Sequence, residues 1–471
     1  MRNGSHAEAS GATRFLFALS SITLVLALFL GGGQGSVGEH LLALPGLALI
    51  LTAGIRIGTS AVRSDRARWF WLLPIGLVLL PLLQLVPLPY AAWTMLPGRG
   101  AIAAGLATAG VAPAAGAWTL APLATENILW SAIVPAGVFM SAAALHGSQR
   151  RTMVGVALAF AAISAIFGLW QIMEGAGSAL YLYRITNEGE AVGFFANRNH
   201  LAGLLAASLP VAAGMLADRL RHHPHGIRDL RVWLLTTLIV LLSVSATATR
   251  SRAGFGLLMA SVLASAAVLL RARPQGPWAG ARPWLRVSAL IAGLLIVQFT
   301  LYGLLVRLES DPLDDHRWTL AANTLQAAEP ARGTGFGLGS FVHAYDEIGD
   351  QSADIEPYVN HAHNDYAELW LEAGLPAVAL AAAALVMVGW QLRKHLRSPD
   401  EDRSNEMQYR GLNLGAAFSL LLIALHSIVD YPLRTLTIAT YASLLAAVLL
   451  GSVRRHSRFR DAAVEMSSQN D

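Results

Sequence analysis

The chain contains no cysteine, which excludes disulfides and thiolate metal sites in one stroke. It is also poor in charge: only 14% of its 471 residues are Asp, Glu, Lys or Arg, against 54% apolar side chains and a mean hydropathy of +0.49. That balance excludes a soluble globule and fits an integral membrane protein. A net charge of +4 is too small to suggest a nucleic-acid partner. No cleavable signal peptide is evident, because the first apolar run, about 14–33, has no convincing small-residue cleavage site and reads as a retained helix. An internal repeat is lacking too.

What the chain does have is a series of apolar runs of about 17 to 22 residues, the length needed to cross about 30 Å of hydrocarbon. The expected spans are 14–33, 39–55, 69–89, 126–145, 152–172, 199–216, 232–249, 253–270, 287–306, 372–392, 411–429 and 435–452. The fold class is therefore an all-α polytopic membrane protein of about 12 helices, with 10 as the lower bound. Lysines and arginines fix the orientation, since they concentrate in cytoplasmic loops. Arg56, Arg63, Arg66 and Arg68 fall on one side, with Arg219, Arg221, Arg228, Arg231, Arg393, Lys394, Arg397, Arg403 and Arg410. Both termini are then cytoplasmic. The connection at about 307–371 lies outside, and it is the most acidic part of the chain, with only Arg307, Arg317 and Arg332 as basic residues.

Arginines on the outer side oppose that topology and require a reason to be there. "ATATRSRAGFG" sets Arg250 and Arg252 in a tight reversal between the seventh and eighth spans. Such residues either snorkel to lipid headgroups or bind an anion, and a planar guanidinium suits phosphate. "YRITNEGEAVGFFANRNHLAGLL" forms a second outer cluster, with Arg184, Asn197, Asn199 and His200. Asn199 reads as a helix N-cap, and the crowding of amides, aromatics and basic groups as the lining of a polar-ligand pocket.

In the outer loop, "HRWTLAANTL" predicts a short amphipathic helix carrying Arg317 and Trp318. The "GTGFGLG" that follows has no preceding strand and no Walker lysine, so it reads as a plain reversal. The aspartates of "DPLDDH" suit a surface loop better than a metal site. In "HAHNDYAELWLEAGLP", Asp365 and Glu368 have the spacing of a capping box. His363 then lies just before the first turn of the tenth span, where the helix dipole favours the neutral ring that a general base needs.

"GFFANRNHLAGLL", "TRSRAGF", "HRWTLAANTL" with "GTGFGLGSF", "HNDYAELWLEAG" and "HSIVDYPLRT" occur in an order that resembles the O-antigen ligase and polymerase superfamily over roughly residues 180–440. His363 and Asn364, then nine residues, then Gly374 are similar to the ligase signature, whereas Ala377 stands where ligases usually carry Gly, Thr or Tyr. The resemblance implies helices 1–5 over residues 1–175, a catalytic region over 176–452 with a periplasmic loop at about 307–371, and a cytoplasmic tail at 453–471. It implies a multi-pass protein of the bacterial inner membrane with a periplasmic active site. The activity would be an inverting glycosyltransferase without cofactor or metal. The donor would be an undecaprenyl-diphosphate-linked glycan, and the acceptor a lipid A-core or another glycan. Membrane lipids would surround it, and a flippase or chain-length regulator would be its protein partner. By the same resemblance His363 is the base and Arg252 and Arg317 hold the diphosphate. Arg250, Arg184, Asn197, Asn199, Asn364, Tyr366, Glu368, Asp430 and Arg434 are substrate-binding candidates. A repeat-unit polymerase is the nearest alternative, followed by a metal-dependent lipid-linked transferase. A polysaccharide transporter is further off, because the spans are nearly free of charge, with His426 as the one exception, and the halves do not match as those of a transporter do.

Overall fold

The computed structural model describes residues 2–33, 37–59, 71–111, 113–222, 229–271, 316–348, 359–397 and 409–451. Its helices are α1 (Arg2–Leu30), α2 (Val37–Thr59), α3 (Leu72–Gln84), α4 (Tyr90–Trp93), α5 (Gly100–Thr108), α6 (Pro122–Ala144), α7 (Gly147–Glu174) and α8 (Arg198–His222). Then come α9 (Leu230–Ala248), α10 (Arg252–Arg271), α11 (His316–Ala327), α12 (Phe341–Ile348), α13 (Asp365–Arg397), α14 (Arg410–His426) and α15 (Leu436–Gly451).

Eight helices among the described residues are long and apolar enough to span a membrane: α1, α2, α6, α7, α8, α9, α10 and α13. A protein of this build is an all-α, multi-pass membrane protein. The expected spans at 411–429 and 435–452 are the shorter apolar helices α14 and α15. The expected span 287–306, the aspartates of "DPLDDH" and the tail 453–471 lie outside the described residues.

The expected third span, 69–89, needs correction. Helix α3 belongs with α14 and α15 among the shorter apolar helices, and it stops at Gln84, before the expected end of the span. Pro87 and Pro89 cannot continue a helix, and they begin instead a small antiparallel ribbon in which Pro87–Pro89 pairs with Ala115–Ala117.

Helix α8 is the axis of the bundle, with α9, α10 and α14 packed round it. Its contact with α14 is close because small residues meet backbone: a Cβ at Gly411 or Gly415 would run into the carbonyl of Gly214 or Pro210. Helix α6 bridges the rest, touching α2, α3 and α15.

The two ends of the bundle differ in chemistry. At one, buried Asp218 accepts N–H bonds from Gly411 and Leu412 at 2.7 and 3.0 Å and so caps α14 from α8. Arg410 donates to the His395 carbonyl at 2.9 Å, and Arg219 pairs with Asp229. The other end gathers the starts of α8, α10, α13 and α15 and the end of α14. The residues singled out by sequence lie there.

Candidate active site

Helix α13 begins with a turn whose backbone is forced. Asn364 supplies the cap, its Oδ1 accepting the N–H groups of Tyr366 and Ala367 at 3.0 Å. The capping box expected from Asp365 and Glu368 does not form, because both side chains turn inward to a buried arginine. His363 adopts φ +48°, a left-handed conformation that costs a non-glycine residue about 1 kcal/mol or more. The turn is held on both sides: Asn364 Nδ2 donates to the Ile428 carbonyl at 2.8 Å, and the Asp365 N–H to the Ser427 carbonyl at 2.9 Å.

His363 faces a half-open cleft of about 210 Å³ that is lined by Arg252, Ala253, Arg317, Trp318, His363, Ile428 and Val429. Arg252 starts α10 immediately after the Thr249–Ser251 reversal, and Arg317 comes from α11. Arg317 Nη1 donates to the Val429 carbonyl at 3.0 Å, which ties α11 to the turn after α14. Two guanidinium groups and one imidazole from three separate elements therefore share one cavity.

Behind His363 lies a carboxylate surrounded by imidazoles. Asp430, fully buried, has His363 Nδ1 at 3.5 Å, His200 Nε2 at 3.8 Å and His426 Nε2 at 3.9 Å. Burial alone would push its carboxyl up, but His363, His200, Arg317 and His426 together hold it well below the usual carboxylate range. Tyr431 packs the imidazoles together: His361 stacks on its ring at 4.1 Å, and His200 and His363 meet it edge-on at 5.0 and 5.1 Å. Its hydroxyl is raised above the ordinary phenol range, chiefly by burial.

A second network lies deeper. Arg434 reaches Asp365 at 3.7 Å, Glu368 at 3.2 Å and Glu372 at 2.7 Å, three carboxylates on one face of α13, each at most 3% exposed. Burial would lower the arginine's affinity for its proton, but the three carboxylates more than offset that and raise it. Glu368 also accepts the Ala362 N–H at 2.9 Å and contacts His361 Nδ1 at 2.8 Å, while Glu372 Oε1 accepts the Gly339 N–H at 2.9 Å. The glycine-rich segment is thus a reversal docked on α13, with Phe336 and Gly337 donating to the Leu371 and Glu372 carbonyls. Helix α13 is broken where it docks: Gly374 has φ +56° and no space for a Cβ beside the Gly333 carbonyl.

The substrate-binding candidates divide accordingly. Arg252, Arg317 and His363 line the cleft, and none of the nine others does. Glu368, Asp430 and Arg434 belong to the buried networks, and Tyr366 is committed to packing, its hydroxyl donating to the Ala424 carbonyl at 2.8 Å. Arg250, at φ +52°, is 65% exposed beside Glu190 at 3.9 Å, a partner it shares with Arg198 at 3.2 Å. Arg184 is exposed on the same loop. Asn197, not Asn199, bonds the first turn of α8, accepting the Asn199 N–H at 2.8 Å. Asn199 instead accepts the Ser251 hydroxyl at 2.7 Å and fastens the reversal that carries Arg252. Phe194 and Phe195 pack inward, Phe194 stacking on Phe167 at 4.7 Å, and neither lines the cleft.

Sequence reasoning missed the roles of His200, His361, His426, Glu190 and Glu372. His426 and Asp430 stand four apart in "HSIVDYPLRT", one helical turn, and that spacing was the available signal.

The fold and cleft define a class: a multi-pass membrane protein with a basic, histidine-bearing cavity at one end of its bundle. Residues 237–382 match the family model described as O-antigen ligase, and this stretch contains Arg252, Arg317 and His363. The match supports the resemblance to the O-antigen ligase and polymerase superfamily over that stretch, and with it a ligase- or polymerase-type function in general terms. No curated protein matches the chain.

Proposed function

We propose that the protein transfers a glycan from undecaprenyl diphosphate to an acceptor sugar hydroxyl on the periplasmic face of the bacterial inner membrane. The convergence of Arg252, Arg317 and His363 on one cleft carries this reading. Guanidinium groups bind a diphosphate and stabilise the charge that grows on it as the glycosidic bond breaks. Ionised Asp430 faces Nδ1 of His363, which keeps the proton on that nitrogen and leaves the Nε2 lone pair as the base. The acceptor hydroxyl gives its proton to Nε2 as its oxygen attacks the anomeric carbon, and the lipid diphosphate departs from the opposite side. Inversion follows, and no metal takes part in any step. A lipid A-core acceptor makes the protein a ligase, and a second repeat unit makes it a polymerase by the same chemistry.

The test is His363→Ala in purified protein under single-turnover conditions. General-base assistance is worth about 10²–10⁴ in rate, so transfer should fall by about that factor while lipid-linked donor still binds. A variant that transfers at the wild-type rate would overturn the assignment. Loss of wild-type transfer in EDTA would move the reading to the metal-dependent alternative.

A further inference from the structure

Among the described residues lining the cleft, Trp318 carries the one large aromatic ring, and it is 63% exposed. The other strongly exposed tryptophans among the described residues, Trp170, Trp233 and Trp390, lie near the ends of the long spans α7, α9 and α13. That is where an aromatic belt meets lipid headgroups. Trp318 differs, because α11 has 12 residues and spans nothing. It directly follows Arg317, which is tied to the Val429 carbonyl, so the ring stands at a fixed place beside the charged side of the cavity.

The other walls show what the ring can meet. Arg252 and Arg317 make one side cationic, whereas Ala253, Ile428 and Val429 make another side apolar. A lipid-linked glycan has the same order of parts: an apolar chain, a diphosphate, then a pyranose. With the diphosphate on the arginines, the first sugar lies one ring's length from it, and a pyranose turns an apolar face of C–H groups outward. An indole is the side chain that covers such a face, gaining stacking contact at little entropic cost.

We propose that Trp318 is the platform for the sugar attached to the diphosphate, a subsite for a pyranose ring. The proposal rests on the donor reading above. It makes Trp318 a determinant of donor affinity with no part in bond making, so its loss weakens binding of a sugar-bearing lipid and leaves a sugar-free one unaffected.

Two probes separate these effects: undecaprenyl diphosphate alone, and the same lipid bearing N-acetylglucosamine, each titrated into full-length protein in nanodiscs. Wild type should bind the sugar-bearing lipid more tightly. Trp318→Ala should weaken that binding by about tenfold, the order of a stacked aromatic contact, with binding of the bare lipid unchanged. Trp318→Phe should keep most of the affinity, and Trp318→Leu should not. Equal binding of the two lipids by wild type, or full rescue by leucine, would overturn the platform and leave the donor reading intact, with leucine rescue marking a lipid contact. Failure of wild type to bind either lipid would refute the donor reading and the platform with it, a pattern distinct from the others.

Discussion

Arg434 offers the severest test of how the site is held together. It is the shared partner of Asp365, Glu368 and Glu372 at 3.7, 3.2 and 2.7 Å, and all three carboxylates are nearly inaccessible to water. Arg434→Gln keeps a hydrogen-bonding side chain and removes the charge. Breaking one buried pair by deleting a partner typically costs about 3–5 kcal/mol, because the remaining charge stays buried and uncompensated. Here the lost cation is shared by the whole network, so the loss should fall in that range. Arg434→Lys should recover little, since one ammonium cannot reproduce a planar fork directed at several acceptors. Thermal unfolding in detergent should show a large drop for both variants. Adding Glu368→Gln and Glu372→Gln to Arg434→Gln should restore much of the melting temperature, because neutral amides need no cation. The assay also separates architecture from substrate contact. If Arg434→Gln melts like the wild type but no longer transfers glycan, the arginine binds substrate and the buried network is incidental.

Two further outcomes are expected. Gly374→Ala should lower stability by about 1–3 kcal/mol, read as a melting shift, because alanine is strained at φ +56° and its Cβ has no room beside the Gly333 carbonyl; an unchanged melting temperature would mean that the break in α13 is not required. Asp430 has a depressed folded pKa, so it adds stability above the unfolded carboxylate value of about 4, and this is lost as pH falls below that value. Wild type should therefore lose stability on acidification between about pH 5 and pH 2 more steeply than Asp430→Asn, and parallel melting curves would refute the linkage.

The spans were largely legible because hydrocarbon imposes length and composition on any helix that crosses it. Where that failed, at 69–89, the prolines of "VPLP" were part of an apolar run, and hydropathy does not register that they end a helix. Arg252 and Arg317 stood out because arginines expected on the outer side oppose the charge asymmetry of the chain. Their meeting in one cleft, by contrast, depends on how α10 and α11 pack against the turn after α14, which no local pattern encodes. Asp365 and Glu368 were misread for a similar reason. The spacing of a capping box is also that of two carboxylates on one helix face, and the choice between them was made by Arg434, 66 residues beyond Glu368. His200 meets Asp430 through the contact of α8 with α14, a relation visible only once the two helices are assembled.

The turn from Ser427 to Thr435 has a practical consequence. It is short and connects two apolar helices, so it looks like a natural place for an epitope tag or a labelling handle. Yet its carbonyls receive Arg317, Asn364 and Asp365, and its side chains supply both Asp430 and Arg434. An insertion there would dismantle the cleft and both networks together. Handles for purification or topology mapping belong at chain ends, and a tagged variant that loses function through an insertion in this turn says nothing about which side of the membrane the turn faces.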